Sequence, residues 1–146
     1  MRYFSLLHSA LFALIILTIA CTRSKEKFIS EERHKENLLK QTALNSEMLQ
    51  QLGEYGVNDK SSLNLNVYFF SDDSLKTQLL SEQLSQSGYH LNTIHRSAKD
   101  KGLWVLTGSS PTVNMDSVWL NKWSLSLCEL SYQKDCVFQG WNPVPE

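Results

Sequence analysis

Apolar and polar residues alternate along this chain at several periods, and each period predicts a different element. Residues 1–21 (MRYFSLLHSALFALIILTIAC) carry no charge beyond Arg2, and residues 10–20 are almost wholly apolar. Residues 22–36 are charge-dense, with Phe28 and Ile29 as the large apolar exceptions, which predicts a polar spacer over residues 21–36. From residue 37 the period becomes helical. At 100° per residue, Leu38, Leu44, Met48, Leu49 and Leu52 fall within an arc of about 140°, so residues 37–52 read as an amphipathic leader helix. Gly53, Gly56 and Asn58-Asp59 end it. Packing on its own domain accounts for this stripe more simply than partner binding does.

Residues 63–70 (LNLNVYFF) alternate with period two. Leu63, Leu65, Val67 and Phe69 share one face and Asn64, Asn66, Tyr68 and Phe70 the other, which is a strand. Asp72 and Asp73 supply N-cap candidates for a helix over 74–87, with Leu75, Leu79, Leu80 and Leu84 as its apolar side and Gly88 as its stop. A second strand over 89–96 and a third over 103–107 (LWVLT) follow, separated by a charged turn. Asn114 can cap a helix running to about Tyr132. Its residues Met115, Trp119, Leu120, Trp123, Leu127 and Leu130 share an arc of about 140°, a stripe that predicts Trp119 and Trp123 in the core. Residues 135–140 form a short last strand. The order after the leader helix is βαββαβ. This predicts an α+β domain over 37–146 of ferredoxin-like type, an antiparallel sheet with both crossover helices on one face.

The first apolar run has the layout of an export signal over residues 1–20. Its end, Leu17-Thr18-Ile19-Ala20-Cys21, resembles a bacterial lipobox, with Thr18 where such boxes more often carry Leu. The resemblance implies lipid on Cys21 and a domain tethered to a membrane of the bacterial cell envelope, on its periplasmic side. The competing reading is an uncleaved signal anchor at the inner membrane with a cytoplasmic domain. The uncharged window just reaches the roughly 20 residues of a span, and Arg23, Lys25 and Lys27 follow it.

Charge narrows the partners. Of 14 basic residues only Arg2 lies in the first 20, and all 15 acidic residues lie beyond them, so the cleaved chain has a formal charge of −2. That is not a surface for nucleic acid. With Cys21 set aside for lipid, Cys128 and Cys136 remain as an even pair whose spacing fits neither a zinc ribbon nor a redox CxxC. A loop-clipping disulfide is preferred here over two buried free thiols.

No catalytic, cofactor or metal constellation emerges. His90 and His95 differ in strand parity and so point to opposite faces, which defeats a two-histidine metal site there. Helix capping explains Asp72 and Asp73, and the six glycines form no phosphate loop. The sheet's outer face is more informative. Tyr68 and Phe70, joined by Trp104, whose parity is opposite to that of Leu103 and Val105, make an aromatic face suited to a protein partner. Coverage by the leader helix is the alternative.

Residues 48–141 resemble the ribonuclease E inhibitor domain of the regulator of ribonuclease activity B family. The resemblance is carried by Leu52-Gly53-Glu54-Tyr55-Gly56-Val57-Asn58-Asp59, by a strand leading to Ser71-Asp72-Asp73, by Ser87-Gly88-Tyr89, and by Phe138-Gln139-Gly140-Trp141. It implies a ferredoxin-like fold and a non-catalytic protein that binds ribonuclease E and restrains RNA cleavage. That role requires the domain to face the cytoplasm; an envelope domain would bind some other protein.

Overall fold

A computed structural model describes residues 27–144. The apolar run and Cys21 lie outside the described residues. The first helix, α1, spans Glu31–Gly53. It begins six residues ahead of the predicted leader helix, because Ser30 caps it by accepting from the Arg33 N–H at 3.2 Å, and Glu31 and Glu32 sit favourably in its first turn. Residues assigned above to a spacer are therefore part of the fold: Ile29 is buried, and so is His34.

Strands β1 (Ser62–Leu63) and β2 (Leu65–Ser71) follow, then helix α2 (Ser74–Gln86), capped by Asp73. The second predicted strand is broken into β3 (His90–Leu91) and β4 (His95–Arg96), which both pair with β5 (Trp104–Ser109). β6 (Val113–Asn114) pairs with β1, helix α3 spans Ser117–Gln133, and β7 (Val137–Pro143) closes the fold. Asn114 does not cap α3. Its side chain accepts from the Asp116 N–H, and Asp116 is the cap.

The main sheet has the order β3-β5-β2-β7, all pairs antiparallel. Counting β3 and β4 as one interrupted strand gives the fourth-first-third-second order of the ferredoxin-like arrangement, as the βαββαβ sequence predicts. Gly108 permits the β3–β5 approach: a Cβ there would meet the His90 carbonyl oxygen at 2.5 Å. Leu65, Val67 and Phe69 of β2 pack with Leu106 and Phe138 under Leu80 and Leu84 of α2 and Leu120 and Leu127 of α3.

Two helical stripes are turned from their predicted faces. Leu75 and Leu79 are exposed, while Thr77, Leu80 and Leu84 are buried. Trp119 is 59% exposed, and the buried side of α3 is instead Leu120, Ser124, Leu127, Cys128 and Ser131. Trp123 is half-buried; its indole N–H donates to the Tyr89 hydroxyl at 2.9 Å and its ring packs edge-on against Phe138 and Trp141. Burial pushes the Tyr89 hydroxyl pKa up against that hydrogen bond.

Candidate partner-binding groove

The outer face of the sheet is built by strand alternation. Val67 and Phe69 point to α2 and α3, so Tyr68 and Phe70 point away, half-exposed. Across the ladder Phe70 pairs with Val105 and Tyr68 with Thr107 on one side, and with Val137 and Gly140 on the other. Trp104 does not join them. It pairs with Ser71 on one side and Arg96 on the other, which puts it on the face of Phe69 and Leu106, at the start of β5 under the Arg96 guanidinium, 4.3 Å from its ring centre. Residues 103–106 are all apolar, so alternation there had no phase to reveal which side faced the core.

Helix α1 forms the wall beside this face. Two concavities share Phe70 and Gln139. One, of about 450 Å³, is lined by Gln41, Leu44 and Met48 of α1 and by Tyr68, Phe70, Val105 and residues 139–142. The other, of about 350 Å³, is lined by Ile29, Arg33, His34 and Asn37 with Phe70, Cys128, Cys136 and Val137. Together they make a groove with Phe70 as its central ridge, where Phe28 meets Phe70 edge-on at 6.2 Å. At the rim, Asn66 donates to the Asn142 side-chain oxygen at 3.0 Å, and the Asn142 amide and the Tyr68 hydroxyl bond each other.

Leu38, Met48, Leu49 and Leu52 of α1 pack against the core, but the residues of α1 that are buried are polar: His34, Gln41 and Asn45. Asn37 and Gln41 donate to the Phe138 and Gln139 carbonyls, covering the open edge of β7 as a neighbouring strand would. Asn45 donates to Asn121 at 2.8 Å and Ser124 at 2.6 Å, and accepts from the Trp141 indole at 2.8 Å. His34 stacks on Tyr132 and bonds Glu129 at 3.0 Å. The small residues Ser124, Cys128 and Ser131 on the buried side of α3 suit the close approach of α1.

The start of α1 is pinned by Asp135, the residue after the C-cap of α3. Its carboxylate accepts from the Phe28 and Ile29 N–H groups at 3.0 and 2.9 Å and from Lys76 at 2.5 Å. Burial raises its pKa, but these hydrogen bonds outweigh that and leave it below the usual carboxylate range. Burial likewise lowers the Lys76 pKa, yet its bonds to Asp135 and Asp72 leave it net raised.

Cys128 and Cys136 are both buried and both free, so the expected bridge is not formed. Each thiol is pushed up to about 12, by burial first. The Asn37 amide donates to the Cys128 sulfur at 3.6 Å, and the Cys136 thiol donates to the Lys134 carbonyl at 3.5 Å, so each sulfur has a partner of its own.

Sequence reasoning therefore located Tyr68 and Phe70, misplaced Trp104, and missed Asn37, Gln41, Asn45 and Asp135. The amides recur every four residues inside the apolar arc of α1, a polar line at helical spacing that the sequence does display.

The family model described as regulator of ribonuclease activity B matches residues 42–142, roughly two thirds of the chain. The chain belongs to that family. The match opens within α1 and closes in β7, so it takes in the sheet side of the larger concavity with Leu44 and Met48 of its helix side, and leaves Gln41 and the first turns of α1 outside. Membership in this regulator family suggests a regulatory, protein-binding role. No curated protein matches the chain. Among the described residues, no helix is long and apolar enough to cross a membrane, and no three His, Cys, Asp or Glu side chains gather as a metal site would require.

Proposed function

We propose that this chain is a non-catalytic, protein-binding regulator that contacts its partner through the groove between α1 and the outer sheet face, and that lipid on Cys21 tethers it to a bacterial envelope membrane. The carrying observation is the aromatic ridge of Tyr68 and Phe70, left half-exposed between two concavities inside the family-matched region. Anchors of this kind dominate protein–protein recognition. The lipobox-like Leu17–Cys21 supports the tether. A photo-crosslinker placed at Phe70 captures a single partner, and one at Glu82 on the helical face does not. Phe70→Arg abolishes partner binding while the protein stays folded, at a modest loss of melting temperature from the Phe28 contact; an unchanged affinity moves the contact surface elsewhere.

A second reading puts the domain in the cytoplasm, where it binds and inhibits ribonuclease E. The family match and the unbonded Cys128 and Cys136 favour it, since thiols stay reduced in that compartment. Protease accessibility in intact against permeabilised cells separates the two, and the cytoplasmic reading further requires the purified chain to slow RNA cleavage by ribonuclease E.

A further inference from the structure

One acceptor in the groove has no donor. The Gln41 side chain is fully buried, and its Oε1 has no hydrogen-bond partner among the described residues. Exchanging the two ends of the amide does not cure this. Nε2 faces three oxygens, the Gln139 carbonyl at 3.0 Å and the Phe138 carbonyl and Asn37 Oδ1 at 3.4 Å, so the exchange would set an acceptor against acceptors. Oε1 is therefore held on the side of Gly140. A Cβ at Gly140 would stand 3.7 Å from it, and the backbone there, at φ 145°, favours glycine, so the place of a side chain is vacant. A buried acceptor left without a donor costs about 1–3 kcal/mol.

We propose that Gln41 Oε1 is the specificity-determining acceptor of a subsite in the larger concavity, and that the subsite takes the indole of a tryptophan on the partner protein. This rests on reading the groove as the partner surface. Charge and hydrogen-bond inventory select the ligand. Among the described residues no charged side chain lines this concavity, so neither an anion nor a cation finds a counter-ion there. The Asn142 amide is engaged with the Tyr68 hydroxyl, and the Gln41 amide nitrogen with β7. A tyrosine hydroxyl or a peptide group would bring an acceptor of its own that must also be satisfied, whereas an indole only donates. Its ring would rest on Tyr68, Phe70 and Leu44. Met48 in the same wall is unbranched and can yield to admit it. One turn along α1 the protein makes this contact for itself: Asn45 Oδ1 accepts the indole N–H of Trp141 at 2.8 Å.

The test titrates the full chain with N-acetyl-tryptophanamide at millimolar concentrations, reading backbone and side-chain amide signals by NMR. The Gln41 side-chain amide, Gly140 and Phe70 shift together, and the same compound methylated on the indole nitrogen binds about tenfold more weakly. Equal affinity of the two compounds overturns the proposal while leaving the groove a binding surface; a buried water that already satisfies Oε1 gives this result. Absence of any shift at these residues, or shifts only elsewhere, overturns it as well. Because the decisive change is in the ligand, the result does not depend on a Gln41 variant folding. Partner binding that survives Phe70→Arg is the separate failure of the groove reading.

Discussion

Asp135 ties three separate segments of the chain together, accepting from the Phe28 and Ile29 N–H groups, the Ser71 hydroxyl and Lys76. It sits at φ 56°, a left-handed backbone that costs a non-glycine residue roughly 1 kcal/mol. The Asp135 N–H donates to the Tyr132 carbonyl and the Cys136 N–H to the Ser131 carbonyl, the paired bonds that close a helix C-terminus, for which glycine is the usual choice. An aspartate is kept there because its carboxylate takes two backbone N–H groups and Lys76. Asp135→Gly relieves the backbone and still destabilises the protein, and Asp135→Asn costs about 2 kcal/mol. The pH dependence has a definite sign. A carboxyl whose folded pKa lies below its unfolded value of about 3.9 stabilises at higher pH, and that contribution is lost as pH falls through the folded value. Lys76, raised when folded, gives the opposite limb: its contribution is lost as pH rises through the folded value, above the ordinary lysine range. Thermal melts across the acid range check this, with Asp135→Asn lower at neutral pH and shallower on acidification.

At the scale of elements, the helices show where the sequence was legible and where it was not. Helix and strand order could be read because period two in β2 and the glycines and caps around α2 are strong local signals. The phase of the helices was harder. At 100° per residue Leu75 and Leu79 stand about 140° from Leu80 and Leu84, so the four leucines of α2 never formed one face. In α3 the apolar stripe is real, but α1 packs beside it and turns burial toward Ser124, Cys128 and Ser131. That shift arises from a tertiary contact made by polar side chains, and hydrophobic periodicity carries no record of it. The groove was half legible for the same reason: its sheet side is written in alternation, while its α1 side depends on Gln41 and Asn45. The two tryptophans of α3 test this account. Trp119→Ala should change stability by under about 0.5 kcal/mol, as exposed positions do. Trp123→Ala, which removes the packing on Phe138 and Trp141 and leaves the Tyr89 hydroxyl without its donor, should cost about 3 kcal/mol by urea denaturation. Gly108→Ala should unseat β3 at a cost of about 1–3 kcal/mol, seen as lost amide-exchange protection at His90 and Leu91.

For the whole molecule, the question is how the folded unit would meet the proposed tether. The bonds from Phe28 and Ile29 to Asp135 fix where folding begins, so the connection from Cys21 is only a few residues long. At ~3.5 Å per residue it spans at most about 25 Å, which would hold a lipidated domain close to the membrane rather than on a long stalk. Two changes separate reach from stability. A Gly/Ser insertion just before Lys27 should lengthen the reach and leave the melting temperature unchanged, because every described contact lies beyond it. Removing Phe28 and Ile29 should lower the melting temperature even though both lie ahead of α1, because it strips the Asp135 carboxylate of two donors and Phe70 of its edge-on neighbour. Cys21→Ser should abolish lipid labelling and leave folding untouched. If deleting Phe28 and Ile29 proves as harmless as the insertion, the folded unit begins at α1 itself, and the Asp135 hub is an ornament of the surface rather than its lock.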